Sequence, residues 1–369
     1  MRVAVLGAGG TIAPAIVRDL ASSDEIEEMV LLDLDAERAG AVAEAQGAGK
    51  ARATRVDATA AGAEPGSLSG ALAGCQALVN SASYRVNLEA MRASLEAGCH
   101  YLDLGGLYHL TGRQLELSDD FRAAGLLGVL GIGSAPGKTN LMARLAADRL
   151  SGTLDAVHVS AAGRDLHPPA GFSVPYALRT LIDELTMAPV VIRDGEPVEL
   201  EPLADGGTVD FGEPIGPGET IFTLHSEMRT FGDSFGCREG SFRLSLAPAL
   251  LEKLRDLAQA PDEELEQAAR EAVPPSPDTV SVHLVDAVTG ERAMRVRAVT
   301  EPHREWGLGG GIVSTAAPVA AAVRLLARGS LDARGVMPPE GCIDPEQMFA
   351  ELEPRGTRLV LTDSEVIQA

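Results

Sequence analysis

Residues 3–13, reading VAVLGAGGTIA, constrain this chain more than any other stretch. A short apolar β-type run enters a glycine-rich turn, and helical spacing follows at once through Ile12, Ala15, Ile16 and Leu20. Pro14 falls in the first helical turn, where a missing N–H is tolerated. A strand that feeds a glycine turn and then a helix gathers backbone N–H groups and a helix N-terminus at one point, an arrangement suited to a phosphate. Gly7 and Gly9 fill the first two positions of GxGxxG, with Ile12 where the third glycine would stand. Counted as GxxGxxA, the pattern uses Gly7 and Gly10, and Ala13 is the small residue that lets helix and strand approach. Gly7, Gly9, Gly10, Thr11 and Ile12 are therefore the expected dinucleotide turn.

The next apolar run ends in Asp33, the distance at which an acidic residue meets a ribose. A carboxylate there accepts from both ribose hydroxyls and repels a 2′-phosphate, which favours NAD over NADP. Asp35 is an equally available carboxylate. Asp57, after the third short strand, suits either the adenine side of the site or a turn-capping role.

Strands are expected at 29–34, 53–56, 77–79, 101–104 and 126–132, and helices at 36–46, 88–97 and 112–124. Asn87 is the expected N-cap of the second of these helices. A looser segment at 59–67 and a short helix ending near Gly74 complete the pattern, a doubly wound α/β sheet. After a helix at 138–150 the rhythm changes to a strand at 156–161, a proline-containing loop at 163–175 and a helix at 176–187. Runs at 190–193 and 197–200 flank Asp194-Gly195, and runs at 280–286 and 292–299 flank Thr289-Gly290, so two hairpins are expected. The expected fold class is α/β: a Rossmann doubly wound parallel sheet with an inserted α+β domain containing a mixed or antiparallel sheet. The boundaries read 1–134 for the dinucleotide-binding domain, 135–305 for the substrate and dimerisation domain, and 306–369 for a C-terminal helix and tail returning to the first. That tail contains helices at 312–328 and 345–352.

Net charge is −22, so nucleic acid and anionic membrane are poor partners. The four cysteines are far apart and form no CxxC pair, which argues against a zinc site or a disulfide framework and for a reducing compartment. No leader-like segment precedes the first strand, and the uncharged stretches at 123–137 and 307–323 are rich in Gly, Ala and Pro, so both read as buried elements of a cytoplasmic protein. The stretch 131–140, GIGSAPGKTN, resembles a P-loop but has Ile132 where GxxxxGK[ST] requires glycine, and reads as a kinked strand-to-helix joint. No HExxH spacing indicates a metal. His167 and His225, in or beside loops of the second domain, are the better acid/base candidates among seven histidines.

The opening VAVLGAGG, the segment at 79–106, the GIGSAPGKTNLMA joint and RGVMPPEGCIDPEQMF resemble the saccharopine dehydrogenase family nearly end to end, and within it most closely the lysine 6-dehydrogenases. The resemblance implies NAD(P)-linked oxidation of a carbon bearing nitrogen and an inserted domain that makes a homodimer interface. It implies Gly7, Gly9 and Gly10 at the pyrophosphate, Asp33 at the ribose, Asp57 on the adenine side, and Asn80 and Ala82 at the nicotinamide. It also implies that 103–106 and 135–137 are loops over the cleft. Ile12 in place of the third glycine, and Lys138 where the family more often has an apolar residue, are departures.

Hydride loss from an amine carbon requires the nitrogen lone pair, so a base must first take the ammonium proton, and water must then add to the product. A neutral histidine or a carboxylate of raised pKa in a partly dry site suits both steps. His225 is the first choice, with Asp103 and Tyr84 as alternatives. The carboxylate of an amino-acid substrate needs a cation in so acidic a protein, and Arg164, Arg229 and Lys138 are candidates beside their reading as ordinary structural or surface charges. The sequence therefore leads to an NAD-dependent dehydrogenase of an amino-acid amine, with the lysine 6-amino group first. A saccharopine- or carboxynorspermidine-type secondary-amine dehydrogenase and a non-catalytic NAD-binding regulator are the alternatives.

Overall fold

Runs of buried aliphatic residues alternating with amphipathic segments build the first half of the molecule. The computed structural model describes residues 1–60, 66–150, 152–290 and 292–365, so part of the looser segment expected at 59–67 lies outside the described residues. The chain opens with β1 (Arg2–Leu6), α1 (Ala13–Ala21), β2 (Glu28–Asp33), α2 (Ala36–Gln46), β3 (Ala51–Arg55) and α3 (Leu68–Ala71). It continues with β4 (Ala77–Asn80), α4 (Asn87–Ala97), β5 (His100–Asp103), α5 (Leu107–Leu115), α6 (Ser118–Ala123) and β6 (Leu127–Val129). Next come α7 (Lys138–Leu150), β7 (Ala156–Asp165), α8 (Leu178–Thr186), β8 (Val190–Arg193), β9 (Glu196–Glu199), β10 (Asp205–Asp210) and β11 (Pro217–Phe222). Then follow α9 (Glu227–Phe235), β12 (Glu239–Ser245), α10 (Pro248–Ala258), α11 (Asp262–Glu271), β13 (Thr279–Thr289) and β14 (Arg292–Thr300). The described chain closes with α12 (Gly310–Ala327), β15 (Gly335–Met337), α13 (Pro345–Leu352) and β16 (Thr357–Glu365).

Two compact units result, one of Met1–Lys138 with Thr315–Asp344, the other of Thr139–Ser314 with Pro345–Ala369. The first holds an all-parallel sheet of seven strands in the order β15-β6-β5-β4-β1-β2-β3. Val3, Ala4, Val5 and Leu6 are all buried, as expected of a strand covered on both faces. Among the side chains of one core layer are Ala4, Leu6, Val30, Leu32, Leu78, Met91, Tyr101 and Phe121. A buried ion pair, Arg324 Nη1 to Asp19 Oδ1 at 2.9 Å, joins α12 to α1. α12 has the length and composition of a membrane span, but 72% of that window is buried inside the protein.

The second unit holds a mixed sheet of nine strands along the path β10-β11-β12-β7-β13-β14-β16, with β8 pairing β12 and β9. Both expected hairpins form, β8–β9 and β13–β14, and Asp194 and Gly195 take the two left-handed conformations that a tight hairpin turn needs. The helix expected at 112–124 is two helices, α5 and α6. β15 was not foreseen, because Gly335, Val336 and Met337 carry no periodicity and become a strand only by pairing β6. The expectation that the whole tail returns to the first domain also needs correction: β16 adds to the edge of β14, whose row of backbone groups would otherwise be open, so residues 345–369 belong to the second unit. Asn87 is the first residue of α4 rather than its N-cap, a position held by Val86 without a side-chain bond.

Candidate active site

The glycine turn lies at the carboxyl end of β1. Gly7 takes φ +77°, and a Cβ there would sit 2.6 Å from the backbone N and Cα of Ala82. Only glycine allows this approach. Gly7 and Ala8 donate to Leu32 O, and Gly10 N closes the turn on Gly7 O at 3.0 Å. The helix that follows starts after Ile12 with no side-chain cap and with Pro14 in its first turn, an arrangement open to an anion. Thr11 is exposed beside it.

Asp33 ends β2 facing this turn. Its Oδ2 accepts from Gly9 N at 2.8 Å and its Oδ1 from Asp35 N at 2.9 Å, which leaves a lone pair on each oxygen for a ribose. Asp35 is the N-cap of α2, accepting from Glu37 N and Arg38 N. That role separates the two carboxylates that the sequence left equivalent. Asp57 accepts from Thr59 N and Oγ1, bonds that lower its pKa, so its turn-capping role is realised.

At the ends of β4, β5 and β6 a buried polar network takes over. Asp103 is 1% exposed. Its Oδ2 accepts from Gln114 Nε2 at 2.6 Å, Tyr101 Oη at 3.0 Å and Asn87 Nδ2 at 3.1 Å. Its Oδ1 accepts from Gly131 N at 2.6 Å and Gly105 N at 3.0 Å. Burial raises its pKa against the pull of these bonds. Asn80 donates to Asn87 Oδ1 at 2.9 Å and to Tyr101 Oη at 3.2 Å, and accepts from Ala82 N at 3.1 Å. Tyr84, half-buried in the 3-10 turn at 84–86, lies under the Arg85 guanidinium, 4.8 Å from ring centroid to Cζ. Asn87, Tyr101 and Gln114 were not foreseen as partners of Asp103, since they come together from α4, β5 and α5.

The joint after β6 has its own steric logic. Gly137 takes φ +121°, and a Cβ on it would sit 2.4 Å from Gly133 N and O. The glycines thus serve a tight strand-to-helix joint, the alternative to a P-loop. Lys138, the first residue of α7, is fully buried, and burial lowers its pKa to about 7.

The second unit carries the other charged cluster. His225 is buried, its ring stacked on Phe242 with centroids 3.5 Å apart. Glu227 Oε2 lies 3.3 Å from its Nδ1 and Glu184 Oε2 lies 3.8 Å from its Nε2. Thr139 Oγ1 donates to Glu227 Oε1 at 2.8 Å, and Tyr176 Oη donates to Glu184 Oε2. Burial disfavours the imidazolium, but Glu227 and Glu184 together outweigh it and raise the His225 pKa to about 9. The expected neutral base is therefore an imidazolium at neutral pH. Glu184 and Glu227 escaped sequence reasoning. The only signal was an acidic residue two places after His225 and another on the amphipathic helix α8.

Arg164 and Arg229 are not assembled with His225. Arg164 binds Gly163 O, Ser245 O and Ser245 Oγ at 2.8, 3.1 and 2.8 Å. Ser245 and Phe242 are three residues apart on β12, so Arg164 and His225 lie on opposite faces of the sheet. Arg229 stands part-exposed on α9, 3.8 Å from Asp233. His167 is an exposed partner of Asp278 at 3.0 Å.

Residues 3–129 match the family described as the saccharopine dehydrogenase NADP binding domain. Over its whole length the fold is similar to that of saccharopine dehydrogenase (L-Glu forming) from Saccharomyces cerevisiae, at 15% identity and a TM-score of 0.70, covering 98% of this chain and 99% of that one. A myo-inositol dehydrogenase from Corynebacterium glutamicum is similar at 14% identity over 100% and 99% of the two chains, with a TM-score of 0.46. A UDP-N-acetylglucosamine 3-dehydrogenase from Acidithiobacillus ferrooxidans is similar at 14% identity over 96% of each, with a TM-score of 0.41. Residues 3–129 thus match a saccharopine dehydrogenase NADP binding domain, and the whole chain has a fold similar to that of a saccharopine dehydrogenase.

Proposed function

We propose that this chain is an NAD-dependent dehydrogenase of an amine carbon in an amino acid, with the 6-amino group of lysine as first substrate. The observation that carries the coenzyme reading is Asp33, held against Gly9 N–H beside an uncapped helix N-terminus. The matched domain is described as NADP-binding, yet a fixed carboxylate at the ribose opposes a 2′-phosphate. Bound there, a nicotinamide dinucleotide supplies a hydride acceptor. Gly7 would hold the tight turn that faces the pyrophosphate, and Asp33 would accept from the ribose hydroxyls.

His225 is the proposed base, acting in its neutral form. Flanked by Glu184 and Glu227, it takes the ammonium proton only as the pH rises through about 9. Reduced-nicotinamide formation with lysine, ornithine and saccharopine, each with NAD and with NADP, tests the reading. Turnover of lysine with NAD is expected. Turnover of saccharopine alone favours the secondary-amine reading, which the resemblance to a saccharopine dehydrogenase motivates. Tight NAD binding without turnover of any amine would leave a regulator.

A further inference from the structure

The topology divides the dinucleotide site in two. The glycine turn follows β1 at the centre of the first sheet, with β2 and β3 on one side and β4, β5, β6 and β15 on the other. Asp33 stands on the β2 side, so the adenine half of a dinucleotide lies there and the other half lies over the ends of β4, β5 and β6. The segments after β5 and β6 meet in the carboxylate of Asp103, and the end of β4 is tied to it through Asn87 and Tyr101.

From Asp103 the bonds run outward in one direct sequence. Asn87 Nδ2 donates to Asp103 Oδ2 and to Gly105 O, Asn87 Oδ1 accepts from Asn80 Nδ2, and Asn80 Oδ1 accepts from Ala82 N. Ala82 is the residue against which Gly7 packs without room for a Cβ. On its other oxygen Asp103 fixes Gly105 N and Gly131 N, and its own carbonyl accepts from Ile132 N at 2.7 Å. Five donors on two carboxylate oxygens leave no lone pair for a substrate proton, which takes Asp103 out of the acid/base role expected for it.

We infer that Asp103 is a positioning residue for the non-adenine half of the dinucleotide, acting through Asn87 and Asn80 on Ala82 and directly on Gly105 and Gly131. Asp103→Asn replaces an acceptor with a donor in a set of donors, so the network must rearrange and release the strand ends it joins. The inference rests on the dinucleotide reading. Its test is calorimetric binding of two probes to the full chain: NADH, which occupies both halves, and ADP-ribose, which lacks the nicotinamide. Asp103→Asn is expected to weaken NADH by about tenfold or more and to leave ADP-ribose within about twofold. Tyr101→Phe, which removes a single donor to Asp103 and keeps the carboxylate, is expected to do the same to a smaller degree and serves where the first variant does not fold. Equal losses for both probes, or no loss for either, overturn the inference and leave the dinucleotide site standing. A wild-type chain that binds neither probe overturns both.

Discussion

At the scale of single residues, steric exclusion and charge make the sharpest predictions. Gly7→Ala places a methyl group 2.6 Å from Ala82 backbone atoms in a left-handed conformation, so it is expected to abolish NADH binding in a titration. Asp33→Asn removes the charge that opposes a 2′-phosphate. The ratio of kcat/KM for NAD to that for NADP is expected to fall by about tenfold or more, and an unchanged ratio would place the ribose elsewhere. His225→Ala is expected to lower the maximal rate and leave NADH affinity constant. In the wild-type protein the rate should climb through pH 9, because the imidazolium cannot accept a proton below that point. Glu227→Gln removes one of the carboxylates that hold the imidazolium, so the same limb should move to lower pH. The folding linkage has the opposite sense. A histidine pKa raised from 6.5 to about 9 contributes stability that is fully present below 6.5 and lost as the pH rises through 9.

Between elements, α1 and α12 are pinned by Asp19 and Arg324, distant in sequence and both buried. Asp19→Ala leaves a buried guanidinium without this partner and is expected to cost about 3–5 kcal/mol in denaturant unfolding. Much of the element pattern was legible because its causes are local. The apolar run of β1, the helical spacing of α1, the Asp194-Gly195 turn and the bounds of α13 follow from periodicity and turn chemistry within a few residues. The region from β10 to α11 was not legible, since strands such as Asp205–Asp210, with mostly exposed side chains, gain their identity from the partner beside them. Asn87 shows the same limit on one residue: its type suits a cap, but the helix begins at it, and its amide serves Asp103 instead.

In the molecule as a whole, the chain crosses between the two units more than once, and its last strand covers the edge of β14. Removing residues 357–369 bares that edge. The shortened chain is expected to aggregate and to unfold at lower temperature in a scanning measurement, while NADH binding by the first unit persists in the soluble fraction. A truncated chain as soluble and stable as the full one would show that β16 contributes little. The glycine turn of the first unit was legible because it and a carboxylate after the next strand form a contiguous pattern. The cluster around His225 in the second unit was legible only as one residue type.

By itself the sequence determined that a parallel, helix-covered sheet opens the chain and that its first turn suits a phosphate, because those properties depend on neighbours a few residues apart. Tertiary structure alone decided which charges are buried together. Asp103 became a hub because α4, α5, β5 and the segments after β5 and β6 deliver donors to it, and the His225 pKa rises because Glu184 and Glu227 arrive from α8 and α9. Desolvation and pairing act through space, and no spacing along the chain records them.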